Sequence, residues 1–191
     1  ILPPPPPSST AHFDVALSGV AVRTTARYSP PVFALPPGQP DEAEILARLT
    51  LSLLGLGALE NAGTATELVD QQIISAVLAK EVADGTSPVA GREVDELAAM
   101  LIDGPGHQRR LDMMLRLGPF GDAFGTRPGG VTLQRVIDNP HGIDLGPLTP
   151  RIPEVLRTPS GMVEIAPEPI MADIPRLAAS LESDSTDFLL I

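Results

Sequence analysis

Few side chains in this sequence have the types and spacing that chemistry needs. Histidine is the side chain that most readily trades protons near neutral pH, and His12, His107 and His141 lie far apart along the chain. They form no His-x-x-x-His pair, and there is no cysteine. A metal site would therefore need acidic partners supplied by the fold. Ser160 stands between Pro159 and Gly161, which is turn chemistry, and no Gly-x-Ser-x-Gly elbow presents a serine as nucleophile. A Ser-His-Asp triad would have to be assembled by the fold alone.

Two stretches hold more polar potential. Gly118, Gly121, Gly125, Gly129 and Gly130 could cradle a phosphate. Their spacing is not Gly-x-Gly-x-x-Gly, however, and no clear strand precedes them, so a long ordered loop accounts for the same residues. Asp138-Asn139-Pro140-His141-Gly142-Ile143-Asp144-Leu145-Gly146 packs turn formers together with a histidine and two aspartates. It reads either as a polar site or as an Asx-type turn stitched by Asn139. Glu60, Glu67, Asp70, Glu81, Asp84, Glu93, Asp95 and Glu96 fall on the polar faces or ends of the helices expected below, as solvated charges do. Met113 and Met114 read as core filler.

Composition narrows the function classes. A net charge of −11 and a pI near 4.5 disfavour nucleic acid and anionic membranes, because the thirteen basic residues are scattered and form no patch. Without cysteine the segment offers no disulfide, thiolate nucleophile or iron–sulfur ligand. The 43% hydrophobic content is enough for a folded core, and with 3% aromatics that core must be aliphatic. No signal peptide opens the sequence, and the apolar stretch 45–59 is short and interrupted by Arg48. A cytoplasmic, processed or cut chain is the expectation.

The elements that would position these residues follow from periodicity. Residues 1–12 form a proline-rich connector, with polyproline II over residues 3–7. Phe13, Val15 and Leu17 alternate as a strand; Gly19 then switches the parity to Val20 and Val22, as a bulge does. Tyr28-Ser29-Pro30-Pro31 ends that strand region. Asp41 with Glu44 makes a capping box, after which Ile45, Leu49, Leu53 and Leu56 predict one apolar helical stripe. Thr64 with Glu67 starts a second helix burying Val69, Ile73, Val77 and Leu78, closed by Gly85. A third helix fits 93–102, with Val94, Leu97 and Leu101 inward. A fourth fits 107–117, with Leu111, Met114 and Leu115 on one side, and a short one fits 132–138. Thr158-Pro159-Ser160-Gly161 predicts a β-hairpin turn between strands 154–157 and 162–165. A last helix covers 176–181, a polar link 183–186, and a strand 187–191. The fold class is α+β and mainly helical, with four to five amphipathic helices, an N-terminal strand pair and a C-terminal β-hairpin.

Leu115-Arg116-Leu117-Gly118-Pro119-Phe120-Gly121-Asp122, the run from Asn139 to Leu148, and Arg151-Ile152-Pro153-Glu154-Val155-Leu156-Arg157-Thr158-Pro159-Ser160-Gly161 form a familiar set. Together they resemble the molybdopterin oxidoreductases, the family of formate dehydrogenases and of nitrate and dimethyl sulfoxide reductases. In that family a Thr-Pro-Ser-Gly turn followed by Val-Glu or Ile-Glu precedes a C-terminal dinucleotide-binding barrel. Thr158 to Glu164 match, with Met162 where lysine is common. Upstream, Ala21-Val22-Arg23, Ala26 to Val32 and the helix start at Pro37 to Glu42 fit as well. Thr24-Thr25-Ala26-Arg27 departs from the Asn-x-Glu-Gly-Arg segment of the better-known formate dehydrogenases, which leaves the substrate open.

The resemblance implies an interior scaffold segment over 13–182, and a linker with the first barrel strand over 183–191. The parent would be a multidomain enzyme holding molybdenum or tungsten on two molybdopterin guanine dinucleotides, with a [4Fe-4S] cluster bound elsewhere. It implies as partners the remaining domains of the polypeptide and an electron-transfer protein. No catalytic, cofactor-binding or metal-ligating residue carries over onto this segment, and His141 and Asp144 are the first to examine. Two other readings stand beside it, a stand-alone acidic helical interaction module and a small hydrolase. Exposed apolar edges favour the scaffold, a closed core the module, and a cleft bringing histidine onto serine and aspartate the hydrolase.

Overall fold

The computed structural model describes residues 5–13, 21–56 and 64–182. Strand positions 15, 17 and 20, the link 183–186 and the strand 187–191 fall outside them. The chain divides into two units, Ile1–Leu148 and Thr149–Ile191. The fold is α+β and mainly helical, with six α-helices and two small antiparallel strand pairs among the described residues.

In the first unit Pro6 keeps polyproline II dihedrals (φ −63°, ψ 149°), and the chain then turns through a 3-10 helix at Pro7–Ser9. Strand β1 (His12–Phe13) pairs with β3 (Tyr28–Ser29), while β2 (Arg23–Ala26) pairs with β4 (Ile143–Pro147). The irregularity in β2 sits between Arg23 and Thr25. One N-terminal pair was expected. The expected strands over 13–22 lie mostly outside the described residues; within them Phe13 pairs with Tyr28, where the strand region was expected to end, and β2 finds its partner β4 beyond the helices.

Asp41 caps helix α1 (Glu42–Leu53), its Oδ1 accepting the Glu44 N–H at 2.7 Å. The Glu44 carboxylate turns across to accept from Thr66 (N–H 3.2 Å, hydroxyl 2.9 Å) and from Arg48 (2.7 Å). The face that α1 buries is Glu44, Ala47 and Leu51, against Ala65 and Val69 of α2 (Thr64–Ala83). Ala47 and Ala65 are small, which lets the two backbones come close. The expected stripe is thereby turned outward: Leu49 and Leu56 are exposed, and Leu53 is 89% exposed. On α2 the buried line is Asp70, Ile74 and Leu78, one position round from Val69, Ile73 and Val77, which are half-buried.

Helix α3 (Val94–Ala99) is shorter than expected, with Leu97 and Leu101 fully inside. Pro105 precedes α4 (Gly106–Leu117), and Gly118 ends it. Helix α4 serves two apolar clusters. Met113 and Leu117 join Ile74, Leu78, Val89, Leu97, Leu101 and Phe124; Leu111 and Leu115 join Ala26, Tyr28, Val131, Leu133 and Val136. Met113 is core filler as expected, whereas Met114, also expected inside, is 62% exposed. Thr132 caps the short α5 (Leu133–Ile137) by accepting the Arg135 N–H at 3.1 Å.

In the second unit the turn at 158–161 forms: Gly161, at φ +66°, donates its N–H to the Thr158 carbonyl at 3.0 Å. Strands 154–157 and 162–165 do not. The Thr158 hydroxyl donates to the Met162 carbonyl at 2.7 Å and closes the loop without a ladder. A lone two-stranded hairpin is marginal in water, and Pro153 and Pro167 flank this one. Helix α6 spans Glu168–Leu181, extending upstream of the expected 176–181 and through Pro175. No described residue of this unit is buried.

Candidate functional site

The segment singled out for its polar density becomes a latch. Gly142 (φ +88°) donates to the Asn139 carbonyl at 2.8 Å, forming a turn into β4. The Asn139 side-chain amide donates back to the Arg135 carbonyl at 2.7 Å, so it caps the end of α5 rather than stitching an Asx turn. His141 is exposed, and its backbone carbonyl accepts from Arg27 at 3.3 Å. Asp144 takes Arg23 across β2 and β4, with the guanidinium Nε at 3.0 and 2.9 Å and Nη2 at 2.7 Å. The Gly146 N–H donates to it at 2.9 Å. Those hydrogen bonds hold the Asp144 carboxyl below its ordinary value. No hydrogen bond joins His141 and Asp144.

The glycine-rich stretch is an ordered loop in which Gly125 and Gly129 take positive φ (+88° and +76°), while close packing explains Gly121 and Gly130. A Cβ at Gly121 would overlap the Leu115 and Arg116 carbonyl oxygens, and one at Gly130 would overlap the backbone of Asp122. Gly121 and Val131 bridge, which holds the two ends of the loop together. Asp122 anchors it, accepting from Arg116 at 2.8 Å and from the Phe124 N–H at 3.1 Å.

Three buried carboxylates hold the helices together. Asp112 is 0% exposed and accepts from the Ile102 N–H (3.0 Å), the Leu133 N–H (2.8 Å) and Arg116 Nε (2.9 Å). Arg116 also lies over the Phe124 ring at 5.5 Å. Asp70, expected on a solvated face, is buried beside Gly106 and paired with Arg110 at 3.0 Å. Burial pushes its carboxyl above the ordinary value, with Arg110 and His107 opposing. Glu44 is the third. The signal for Asp112 was present in its place between Leu111 and Met113 with Arg116 one turn on, but its two backbone partners lie far along the chain.

A cavity of about 520 Å³ opens between the 3-10 turn, the segment 28–35 and the first turns of α1 and α4. Phe13, Tyr28 and Phe33 line it, together with Asp41, Glu42, His107 and Arg110. Gln108 on the same wall donates to the Tyr28 hydroxyl at 3.3 Å. The His107 Nδ1 is buried without a hydrogen-bond partner.

Among the described residues no hydrogen bond joins a histidine to a serine, and His12 Nε2 meets Thr10 Oγ1 (3.1 Å) and the Pro7 carbonyl (2.9 Å) instead. No three His, Asp or Glu side chains converge as metal ligands among those residues. No described helix is long and apolar enough to cross a membrane. No family model, no curated protein and no solved structure matches the chain.

Proposed function

We propose that this chain is a scaffold segment of a molybdopterin-dependent oxidoreductase of the formate-dehydrogenase-like kind, whose catalytic centre is built by other parts of the parent polypeptide. One observation carries the reading: the stretch 149–182 keeps a defined turn and a 14-residue helix while burying none of its side chains. Ile165 is 93% exposed, and Ile152, Met162, Val163, Ile170, Leu177 and Leu181 are exposed with it. Apolar surface of that extent marks a contact with other protein. The turn it contains, Thr158 to Gly161 followed by Val163-Glu164, is the motif on which the family resemblance rests. On this reading the neighbouring domains of the same chain cover it, and an electron-transfer protein meets the parent elsewhere.

Molybdenum or tungsten, held by the pterin dinucleotides, would supply two-electron redox chemistry, and the [4Fe-4S] cluster would pass single electrons on. This segment's own part is mechanical. The Asp112 hub and the Arg23–Asp144 latch fix the helical unit, and 149–182 ties onward to the remaining domains. A cytoplasmic location fits the acidic, cysteine-free composition.

Hydrogen–deuterium exchange tests the reading. Amides of 168–181 should exchange more slowly in the full-length parent than in the 191-residue chain. Equal rates in both would contradict it, and would favour a stand-alone acidic helical interaction module that displays its leucine face on α1.

A further inference from the structure

The cavity beside His107 brings three features together. The chain holds five Phe and one Tyr, and Phe13, Tyr28 and Phe33 all line this one space. Phe124 is buried in the other cluster, and Tyr28 and Phe13 pack against Val131 and Leu133, whereas Phe33 is 64% exposed, so its ring stands at the cavity without being needed for burial. Asp41, the N-cap of α1, and Glu42 in its first turn place carboxylates on the wall. Asp41 spends Oδ1 on the helix cap, and its negative charge remains. Arg110 also lines the cavity, but its guanidinium is paired with the buried Asp70 at 3.0 Å, which answers its charge from within the wall. Finally, among the described residues the only buried side-chain polar atom without a partner is Nδ1 of His107, on this same wall.

We propose that this cavity is a binding site for a small organic cation, an amine or guanidine carried on an apolar body. Aromatic faces are electron-rich and attract a cation that still has an apolar flank. The two carboxylates add to that attraction and repel an anion of the same shape. The volume falls in the range of small-molecule sites, roughly 300–1,000 Å³. The polar head of such a cation would meet the wall that carries the unpartnered His107 Nδ1. The proposal is independent of the scaffold reading, since it rests on the first unit alone.

The test is an NMR titration of the 191-residue chain with phenethylamine and, separately, with phenylacetate. The amine should move the ring resonances of Phe13, Tyr28, Phe33 and His107 saturably, and should bind at least about tenfold more tightly than the acid. Phe33→Ala removes an exposed ring, and Asp41→Asn removes charge while keeping a good helix cap. Each should weaken amine binding by about threefold or more while leaving the urea midpoint nearly unchanged. Equal affinity for the two probes, binding untouched by either substitution, or no saturable shift at millimolar amine would overturn the proposal.

Discussion

The Asp112 carboxylate accepts the backbone N–H of Leu133, 21 residues downstream, at 2.8 Å, with no exposure to solvent. The same group takes the Ile102 N–H and the Arg116 guanidinium, so one acid ties α3's exit, α4 and α5's entry. Removing it strands two backbone donors and takes from the largely buried Arg116 one of its two carboxylate partners. Asp112→Ala should cost about 3–5 kcal/mol, and Asp112→Asn less, because it keeps an acceptor. Urea unfolding measures both. A loss under about 1 kcal/mol for the alanine variant would mean that the hub is dispensable.

The two kinds of glycine in the 118–130 loop should separate by substitution. Gly121→Ala forces a Cβ into carbonyl oxygens of α4, whereas Gly129→Ala meets open space and bears only its φ of +76°. The second should cost about 1–2 kcal/mol. The first should cost clearly more, or abolish folding. Thermal melts of the two variants side by side decide the order, and a Gly121 variant no worse than the Gly129 variant would contradict the close-packing account.

Asp70 gives a pH dependence with a definite sign. Its folded-state carboxyl lies above the ordinary value because burial disfavours the charge. Between the unfolded value, about 3.9, and the raised folded value, the folded chain holds the extra proton. Stability from this group is therefore present at low pH and falls as pH rises through that window. Asp144 has the opposite sign, since Arg23 lowers its folded value: its contribution is present above the unfolded value and lost as pH falls. Unfolding free energy for the wild type minus Asp70→Asn, followed across acid pH, should slope downward. A flat or rising difference contradicts the assignment.

Exposed leucines on α1 should matter only in company. Leu49→Ser and Leu53→Ser should change the stability of the isolated chain by no more than about 0.5 kcal/mol, because both side chains already face water. In the full-length parent the same changes should lower the soluble yield or the cofactor content. If instead the isolated chain loses several kcal/mol, this face is part of its own core.

Local signals were legible where their partners are local. Asp41 was readable as a cap because the N–H it accepts, that of Glu44, lies three residues on; Thr132, read as the first helical residue, caps α5 by accepting from Arg135. Gly118 ends α4 as expected, whereas α3 stops at Ala99, ahead of the Gly104–Gly106 break, whose last glycine opens α4. Helix faces were less legible. In α1 leucines occupy several sides, so periodicity could not tell that Ala47 and Leu51, rather than Leu49 and Leu53, would meet α2. That choice was made by the small side chain of Ala65 on the partner. Asp70 looked like a solvated charge, and Asp112 drew no reading, because Arg110 and Leu133 reach them only after folding. The hairpin failed because a turn motif fixes a corner and not the pairing beyond it. The cavity draws on residues from position 9 to position 111, and no spacing rule joins those.

The most direct test of the scaffold reading is elemental mass spectrometry on the full-length, folded parent protein. The account predicts molybdenum or tungsten stoichiometric with the chain, accompanied by iron in the excess that a [4Fe-4S] cluster requires. A well-folded parent carrying none of these metals would contradict it.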